Sequence, residues 1–88
     1  MVKTKKLAKK AKKAETLSSD LKLLGNRIRS LRIAKGYSNY ENFAFENDIP
    51  RAQFGRYERG EDLRYSSLLK VCSALGISIQ EFFSEGFE

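Results

Sequence analysis

Apolar residues recur every three or four positions along much of the chain, which is the spacing of one face of an α-helix. The first run consists of Leu21, Leu24, Ile28 and Leu31. This run predicts an amphipathic helix over roughly 20–35. We expect Ser18, Ser19 or Asp20 to cap its start, and Gly36 to end it in the left-handed conformation.

Four shorter helices are predicted after the first one from their start and stop signals. The predicted ranges are roughly 39–47, 50–59 and 66–75, followed by a short last helix after Ser78. Capping-box spacing marks two of the starts, and the fixed φ of Pro50 suits a third. Gly60 and Gly76 stand where two of the helices would end. Because no stretch alternates with strand period, the sequence predicts an all-α, compact five-helix bundle.

Charge is distributed unevenly along the chain. Residues 1–13 hold seven lysines and no acid, whereas the remaining 75 residues hold ten basic and eleven acidic side chains. Such a segment is either a solvated, disordered arm or an arm that settles on nucleic-acid phosphates. We therefore predict a flexible Lys-rich arm over residues 1–19, called the arm below, and one folded domain over residues 20–88.

The composition excludes several classes of function. Histidine is absent, which removes Ser-His-Asp and Cys-His catalysis and His-ligated zinc. The single cysteine, Cys72, lies on an apolar stripe and is expected to be a small buried hydrophobe. No stretch is apolar for long enough to cross a bilayer. The sequence predicts a soluble cytoplasmic protein that is not an enzyme and that has no metal or cofactor.

The third predicted helix has two different faces. At about 100° per residue, Phe54, Tyr57 and Glu58 fall on one side. The other side carries Arg51, Ala52, Gly55, Arg56 and Arg59 within an arc of roughly 140°. Planar guanidinium donors on such a face suit guanine edges or phosphates in a major groove, and small residues would allow close approach. The same pattern also fits a solvated cationic surface.

Several motifs in order carry a resemblance to a known family. They are GNRIRSLRIAKG in the first helix, the pair Phe43-Ala44, YERG at the end of the third helix, and SLLKVCSALGISIQEFF over the last two helices. From about Leu21 to Phe83 the chain resembles the helix-turn-helix domain of Cro/cI-type phage repressors, the xenobiotic-response-element family. The resemblance implies a lambda-repressor-like fold and a repressor-like transcriptional regulator that binds double-stranded DNA as a homodimer.

The resemblance also assigns roles to residues by their position. Base-reading positions fall on Arg51, Ala52, Gln53 and Arg56, with Gln53 nearer the flank of its helix. Phosphate-contact positions fall on Asn39, Tyr40, Arg59, Arg64 and Ser66. The alternative role for Asn39 is a helix cap. A structural ion pair between Arg32 and Glu58 is implied as well, and it would orient the first helix against the third.

Three departures from the family pattern limit the transfer of an operator sequence. Tyr40 replaces the usual glutamine at the start of the second helix. The spacing from Gly36 to Ala44 is one residue longer than the commonest arrangement, so the second helix starts after either Ser38 or Asn39. Asp48 occupies a turn position that is often glycine, and it adopts positive φ less freely.

The end of the chain and the remaining acids leave other functions open. One of Phe82 and Phe83 is expected to close the core, and the surplus aromatic surface, which includes Phe87, is a candidate dimer patch. An alternative function is an antitoxin or another module that chiefly binds a protein partner such as a toxin. The pair Glu61-Asp62 is interpreted as a solvated loop rather than as catalytic carboxylates.

Overall fold

A computed structural model describes the backbone from residue 2 and the side chains of residues 17–88, and over this part the chain forms five α-helices and no strand. The helices are α1 (Val2–Ala34), α2 (Tyr40–Glu46), α3 (Arg51–Glu58), α4 (Tyr65–Leu75) and α5 (Ile79–Phe82). The predicted all-α fold is thereby confirmed, and α2 to α5 lie close to their predicted positions.

The first helix begins earlier than predicted. The expected cap residues Ser18, Ser19 and Asp20 lie inside α1 and are exposed to solvent. The sequence before them is rich in lysine and alanine and contains neither proline nor glycine, so local propensity does not oppose a longer helix. The predicted flexibility of the arm stays a prediction, because the side chains of residues 1–16 are not among those that the structure describes.

All five helices contribute side chains to the core. Its buried members are Ile28, Phe43, Ala44, Phe54, Tyr57, Leu68, Val71, Cys72, Leu75 and Phe82. The rings of Phe43 and Phe54 lie 5.1 Å apart and join α2 to α3. Cys72 is buried as predicted, and this burial raises the pKa of its thiol above the ordinary value.

Helix α1 approaches the end of α3 very closely at Gly25. A Cβ atom built on this glycine would lie 2.7 Å from the carbonyl oxygens of Tyr57 and Glu58. Real carbon and oxygen atoms do not approach so closely, so any larger residue would push the two helices apart. The contact fixes the position of α3 relative to α1.

A tight turn joins α2 to α3 and sets the direction of α3. Asp48 adopts φ 57° there, in the left-handed region that the sequence required of this turn position. The amide of Ile49 then donates to the carbonyl oxygen of Ala44 at 2.9 Å, and Pro50 precedes the first residue of α3. The helix-turn-helix therefore spans α2, this turn and α3.

The C-terminal aromatic residues divide between core and surface. Phe82 is completely buried, whereas Phe83 is 45% exposed. The rings of Phe83 and Phe87 lie 4.8 Å apart, so the half-buried Phe87 covers part of its neighbour. An aromatic surface remains at the end of α5, where the sequence predicted a surplus.

Arg27 attaches α5 to α1, a role that the sequence did not reveal. Its Nε donates to the carbonyl oxygen of Phe82 at 2.7 Å, and its Nη2 donates to that of Glu81 at 3.0 Å. Its Nη1 also forms an ion pair with Glu85 at 3.3 Å. These carbonyls belong to the last turn of a helix, where a cation is favoured. The contact joins residues more than fifty positions apart, and no local spacing signals it.

Candidate DNA-binding surface

Helix α3 is held by its apolar side and exposes a basic face. Phe54 is completely buried and Tyr57 is 6% exposed, so these two rings anchor the helix in the core. The exposed residues on the other side are Arg51, Ala52, Arg56 and Arg59. The face that the helical spacing predicted is therefore present, with one exception at Gly55.

Gly55 does not lie on the exposed face, and its predicted place there was wrong. The residue is buried against the ring of Tyr40, and a Cβ atom added to it would lie 2.9 Å from Tyr40 Cε1. The helical wheel gave the angle of Gly55 on α3 correctly, but it could not show that Tyr40 of α2 packs over this position. Ala52 is thus the small exposed residue on this face of α3.

The amide side chain of Gln53 is turned back along α3. It is half-buried, and its Nε2 donates to the hydroxyl oxygen of Tyr57. This is the flank position that the helical wheel predicted for Gln53. To contact a base edge, the amide would have to exchange its hydrogen bond with Tyr57 for one with the base.

Two arginines of the exposed face form ion pairs with nearby glutamates. Arg51 Nη1 lies 3.5 Å from a carboxylate oxygen of Glu41 on α2, and Arg56 Nε lies 3.7 Å from one of Glu61. All four side chains are about half or more exposed to water, where such pairs are weak and exchange readily. Both guanidinium groups therefore remain accessible to a nucleic acid.

Three of the predicted phosphate contacts share one open groove between α1, α2 and α3. The groove is lined by Arg29, Ser38, Asn39, Tyr40, Glu41 and Arg59, among others. Asn39 is the N-cap of α2, because its Oδ1 accepts from the amides of Glu41 at 2.7 Å and Asn42 at 3.3 Å. Asn39 therefore has the cap role that the sequence left open, and it also lines the groove. Arg29 lies on this groove although the sequence analysis did not single it out.

The other two predicted phosphate contacts lie at the start of α4. Arg64 occupies the position just before α4, and Ser66 lies in its first turn; both are exposed. Arg64 lines a second depression together with Gln53 and Arg56. The predicted site residues therefore form two groups on either side of α3, with the exposed face of α3 between them.

Arg32 and Glu58 form a buried ion pair between α1 and α3. Arg32 Nε and Nη2 donate to the two carboxylate oxygens of Glu58 at 2.7 and 2.9 Å. The third donor, Nη1, reaches the carbonyl oxygen of Tyr37 at 2.7 Å. The two side chains are only 5% and 8% exposed, so the pair is shielded from solvent. This geometry sets the angle between the two helices at the edge of the groove.

The turn after α1 is also tied to the end of α2. The hydroxyl of Tyr37 donates to a carboxylate oxygen of Glu46 at 2.5 Å. This hydrogen bond is the main cause of a raised pKa for the Tyr37 phenol, and burial and the charge of Glu46 act in the same direction. The contact holds the segment that carries Asn39 against the body of the domain.

The described residues contain neither a metal-binding cluster nor a membrane span. Within residues 17–88, no group of three or more acidic or cysteine side chains is placed to hold a metal ion. In the same part of the chain, the helices are too short or too polar to cross a membrane.

Residues 27–84 match the family model described as a Cro/C1-type HTH DNA-binding domain. This match extends from the last quarter of α1 to just beyond α5 and includes the whole helix-turn-helix.

Two control proteins are similar to this chain in sequence, and a third protein is similar to it in structure. The chain is 32% identical over 69 residues to control protein C.MunI of a Mycoplasma species, covering 76% of this chain and 93% of the relative. It is 30% identical over 63 residues to control protein C.BamHI of Bacillus amyloliquefaciens, covering 69% and 78%. The crystal structure of the restriction-modification controller protein C.AhdI from Aeromonas hydrophila superposes with a TM-score of 0.67 at 38% identity. That superposition covers 74% of this chain and 98% of C.AhdI.

Proposed function

This chain belongs to the Cro/C1-type helix-turn-helix DNA-binding family, and from this premise we propose that it is a control protein of a restriction-modification system that reads a short palindrome with α3. Its place among these relatives makes it a DNA-binding regulator of transcription and not an enzyme. The relatives are control proteins, which favours regulation of transcription over the antitoxin alternative. The cytoplasm, where such DNA is accessible, is the proposed location.

The basic, exposed face of α3 is the observation that carries the proposal. Arg51 and Arg56 offer the fork of donors that matches guanine O6 and N7, and each such bidentate contact provides about 1–3 kcal/mol of discrimination. Ala52 between them is small enough to let the helix approach the base edges. Gln53 is the fourth proposed reader, in the rotamer that leaves Tyr57.

The two flanking groups are proposed to hold the phosphates on either side of the groove. Asn39, Tyr40 and Arg59 would contact one strand from the groove beside α2. Arg64 and Ser66 would contact the other strand from the start of α4. Phosphate contacts of this kind position the recognition helix but carry no sequence information of their own. The lysines of the arm would add a further contribution that is independent of sequence.

A homodimer is proposed because two copies of α3 must enter successive major grooves of a palindrome, about 34 Å apart. The exposed aromatic surface of Phe83 and Phe87 is the proposed contact between the copies. Burying the exposed part of Phe83 in both copies would contribute about 2 kcal/mol in all. Phe83→Ala is therefore expected to weaken the dimer about 30-fold in sedimentation equilibrium.

Phe45 on α2 provides the matched control for this dimer test. It is 83% exposed, so Phe45→Ala removes a comparable aromatic surface from a different element. We expect this variant to keep the dimer intact. If Phe45→Ala dissociated the dimer and Phe83→Ala did not, the proposed interface at α5 would be wrong.

The proposed function is tested by selection from a pool of randomised DNA duplexes at two salt concentrations. We expect an enriched palindrome whose binding weakens steeply with salt, because each phosphate contact releases counterions. Removal of residues 1–13 should weaken binding to all duplexes alike and reduce the salt slope, leaving the enriched sequence unchanged. Recovery of random sequences at both salt concentrations would refute sequence-specific reading.

A further inference from the structure

The end of α3 folds into a turn that ties Glu61 to Arg56. The amide of Gly60 donates to the carbonyl oxygen of Tyr57 at 3.1 Å, and the amide of Glu61 donates to that of Arg56 at 3.0 Å. Gly60 has φ +93°, a conformation that other residues rarely adopt. This is the hydrogen-bond pattern of a Schellman motif, in which the residue after the glycine lies against the third residue from the helix end.

The two side chains brought together by such a turn are commonly apolar. Helix α4 follows this rule, because the amide of Ile77 donates to the carbonyl oxygen of Cys72 at 3.1 Å and both side chains are apolar. At the end of α3 the same two positions hold Arg56 and Glu61, and their side chains form an ion pair. The fold of the turn therefore places a carboxylate beside a proposed base-reading arginine.

The atoms that form this ion pair leave the reading end of Arg56 free of it. The 3.7 Å contact joins Nε of Arg56 to a carboxylate oxygen of Glu61. The two terminal nitrogens of a guanidinium make the parallel pair of donors that fits guanine O6 and N7. A carboxylate at Nε restricts the direction of the group without occupying that pair of donors.

We propose that Glu61 is a positioning residue for base recognition: through Nε its carboxylate favours the orientation of the Arg56 guanidinium in which the terminal nitrogens face guanine. The same carboxylate competes with DNA phosphates for the arginine, so it also limits binding that is independent of sequence. This inference rests on the proposed role of Arg56 as a base reader. The inference gives a function to Glu61, which the sequence analysis placed in a solvated loop.

The neighbouring Asp62 offers a control that is matched in charge and place. One of its carboxylate oxygens accepts from the amide of Leu63 at 2.8 Å, an interaction that asparagine preserves. Asp62→Asn therefore removes one negative charge from the same loop without touching the pair of Arg56 and Glu61. Both Glu61 and Asp62 are exposed, so neither substitution should unfold the domain.

The experiment is a double-mutant cycle on DNA binding, followed by fluorescence anisotropy. The probes are the duplex recovered from the randomised pool and the same duplex with the guanine that depends on Arg56 replaced by adenine in one half-site. The proteins are the full chain and its Arg56→Ala, Glu61→Gln, Arg56→Ala/Glu61→Gln and Asp62→Asn variants. The measured quantity is the ratio of the two dissociation constants for each protein.

We expect the full chain to prefer guanine by about 5- to 150-fold, the range of one bidentate contact. Glu61→Gln should reduce this ratio about three- to fivefold, partly by tightening binding to the adenine duplex. Asp62→Asn should change the ratio less than about twofold, and Glu61→Gln should change it as little when Arg56 is absent. A role of Glu61 in folding alone would not produce this dependence on Arg56.

The possible failures are distinguishable from one another. If Glu61→Gln behaves like Asp62→Asn, or if its effect persists without Arg56, the positioning role is overturned and the reading role of Arg56 stands. If no guanine depends on Arg56, so that Arg56→Ala keeps every preference of the full chain, the reading role itself is wrong and the positioning role fails with it.

Discussion

The buried ion pair between Arg32 and Glu58 leads to a quantitative prediction for stability. Glu58→Ala removes both acceptors of Arg32 Nε and Nη2. It leaves Arg32, whose side chain is only 5% exposed, with one remaining hydrogen bond, to the Tyr37 carbonyl oxygen. An uncompensated buried charge of this kind destabilises a protein by about 3–5 kcal/mol. For a small domain with a total stability of about 5–10 kcal/mol, this is a large part of the whole.

The assay is urea unfolding followed by circular dichroism, with Arg51→Ala as the control. Arg51 belongs to an ion pair between arginine and glutamate on the surface, where its side chain is 72% exposed. Its removal should change the free energy of unfolding by less than about 0.5 kcal/mol. The double variant Arg32→Leu/Glu58→Leu should be more stable than the summed effects of Arg32→Leu alone and Glu58→Leu alone imply, because no charge is left buried.

Two results would refute this reasoning. One is a loss for Glu58→Ala no larger than that for Arg51→Ala, which would mean that water reaches Arg32 freely. The other is simple additivity of the two single substitutions in the double variant, which would mean that the side chains do not interact. Either result would remove the ion pair as the cause of the angle between α1 and α3.

Three further predictions concern the packing and titration of the domain. Gly25→Ala should destabilise the domain by about 1–3 kcal/mol in urea unfolding, because a Cβ there overlaps two backbone carbonyls of α3, although alanine is the better helix former; a stabilised variant would contradict the close contact. Cys72 should react slowly with a disulfide reagent in the native state and quickly once urea opens the core, because burial raises the pKa of its thiol and blocks access; rapid reaction of the folded protein would contradict its burial. The Tyr37 phenol should ionise above its ordinary pKa of 10.0, and Glu46→Gln should shift that ionisation back, as measured by phenolate absorbance against a Tyr37→Phe reference. Since the folded-state pKa is raised, the stability linked to this phenol is fully present below its unfolded pKa and is lost as the pH rises through the folded value; an unchanged ionisation in Glu46→Gln would contradict the assigned cause.

Local signals in the sequence were sufficient to predict most of the helices. Gly76 ends α4 in the left-handed conformation, with φ 77°, as a glycine after an apolar run predicts. Ser78 caps α5 by accepting from the amide of Glu81, as the capping-box spacing predicts. Asp48 takes the positive φ of its turn position. The two helix signals depend on a few consecutive residues, so local spacing predicts them, whereas the conformation of Asp48 was implied by the family resemblance.

Features that depend on contacts between distant elements could not be predicted in the same way. Gly55 shows this directly: its angle on α3 suggested exposure, but Tyr40 covers it from another helix. Gly25 and Arg27 act through contacts with α3 and α5, and their residue types give no sign of the partner. The pair Arg32 and Glu58 was anticipated only because the family resemblance supplied the long-range contact.

The candidate site also combines features that local spacing predicts with features that depend on contacts between elements. The exposed arginines of α3 follow from helical spacing, which needs only the positions of Phe54 and Tyr57 as inward anchors. The ion pairs of Arg51 and Arg56 with glutamates outside α3 depend on the turns at either end of the helix. Because those turns set the directions of the side chains, the orientation of the proposed base-reading arginines appears only in the structure.

The most direct test of the account compares Arg56→Ala with Arg59→Ala in selection from the randomised duplex pool. The account predicts that Arg56→Ala loses the preference for one base at a pair of symmetric positions and keeps the rest of the palindrome. Arg59→Ala should keep the whole palindrome and weaken binding to all duplexes alike, with a salt slope smaller by about two, one for each subunit of the dimer. If both variants recover the same palindrome as the full chain, Arg56 does not read a base, and the central claim that α3 reads the palindrome through this arginine is contradicted.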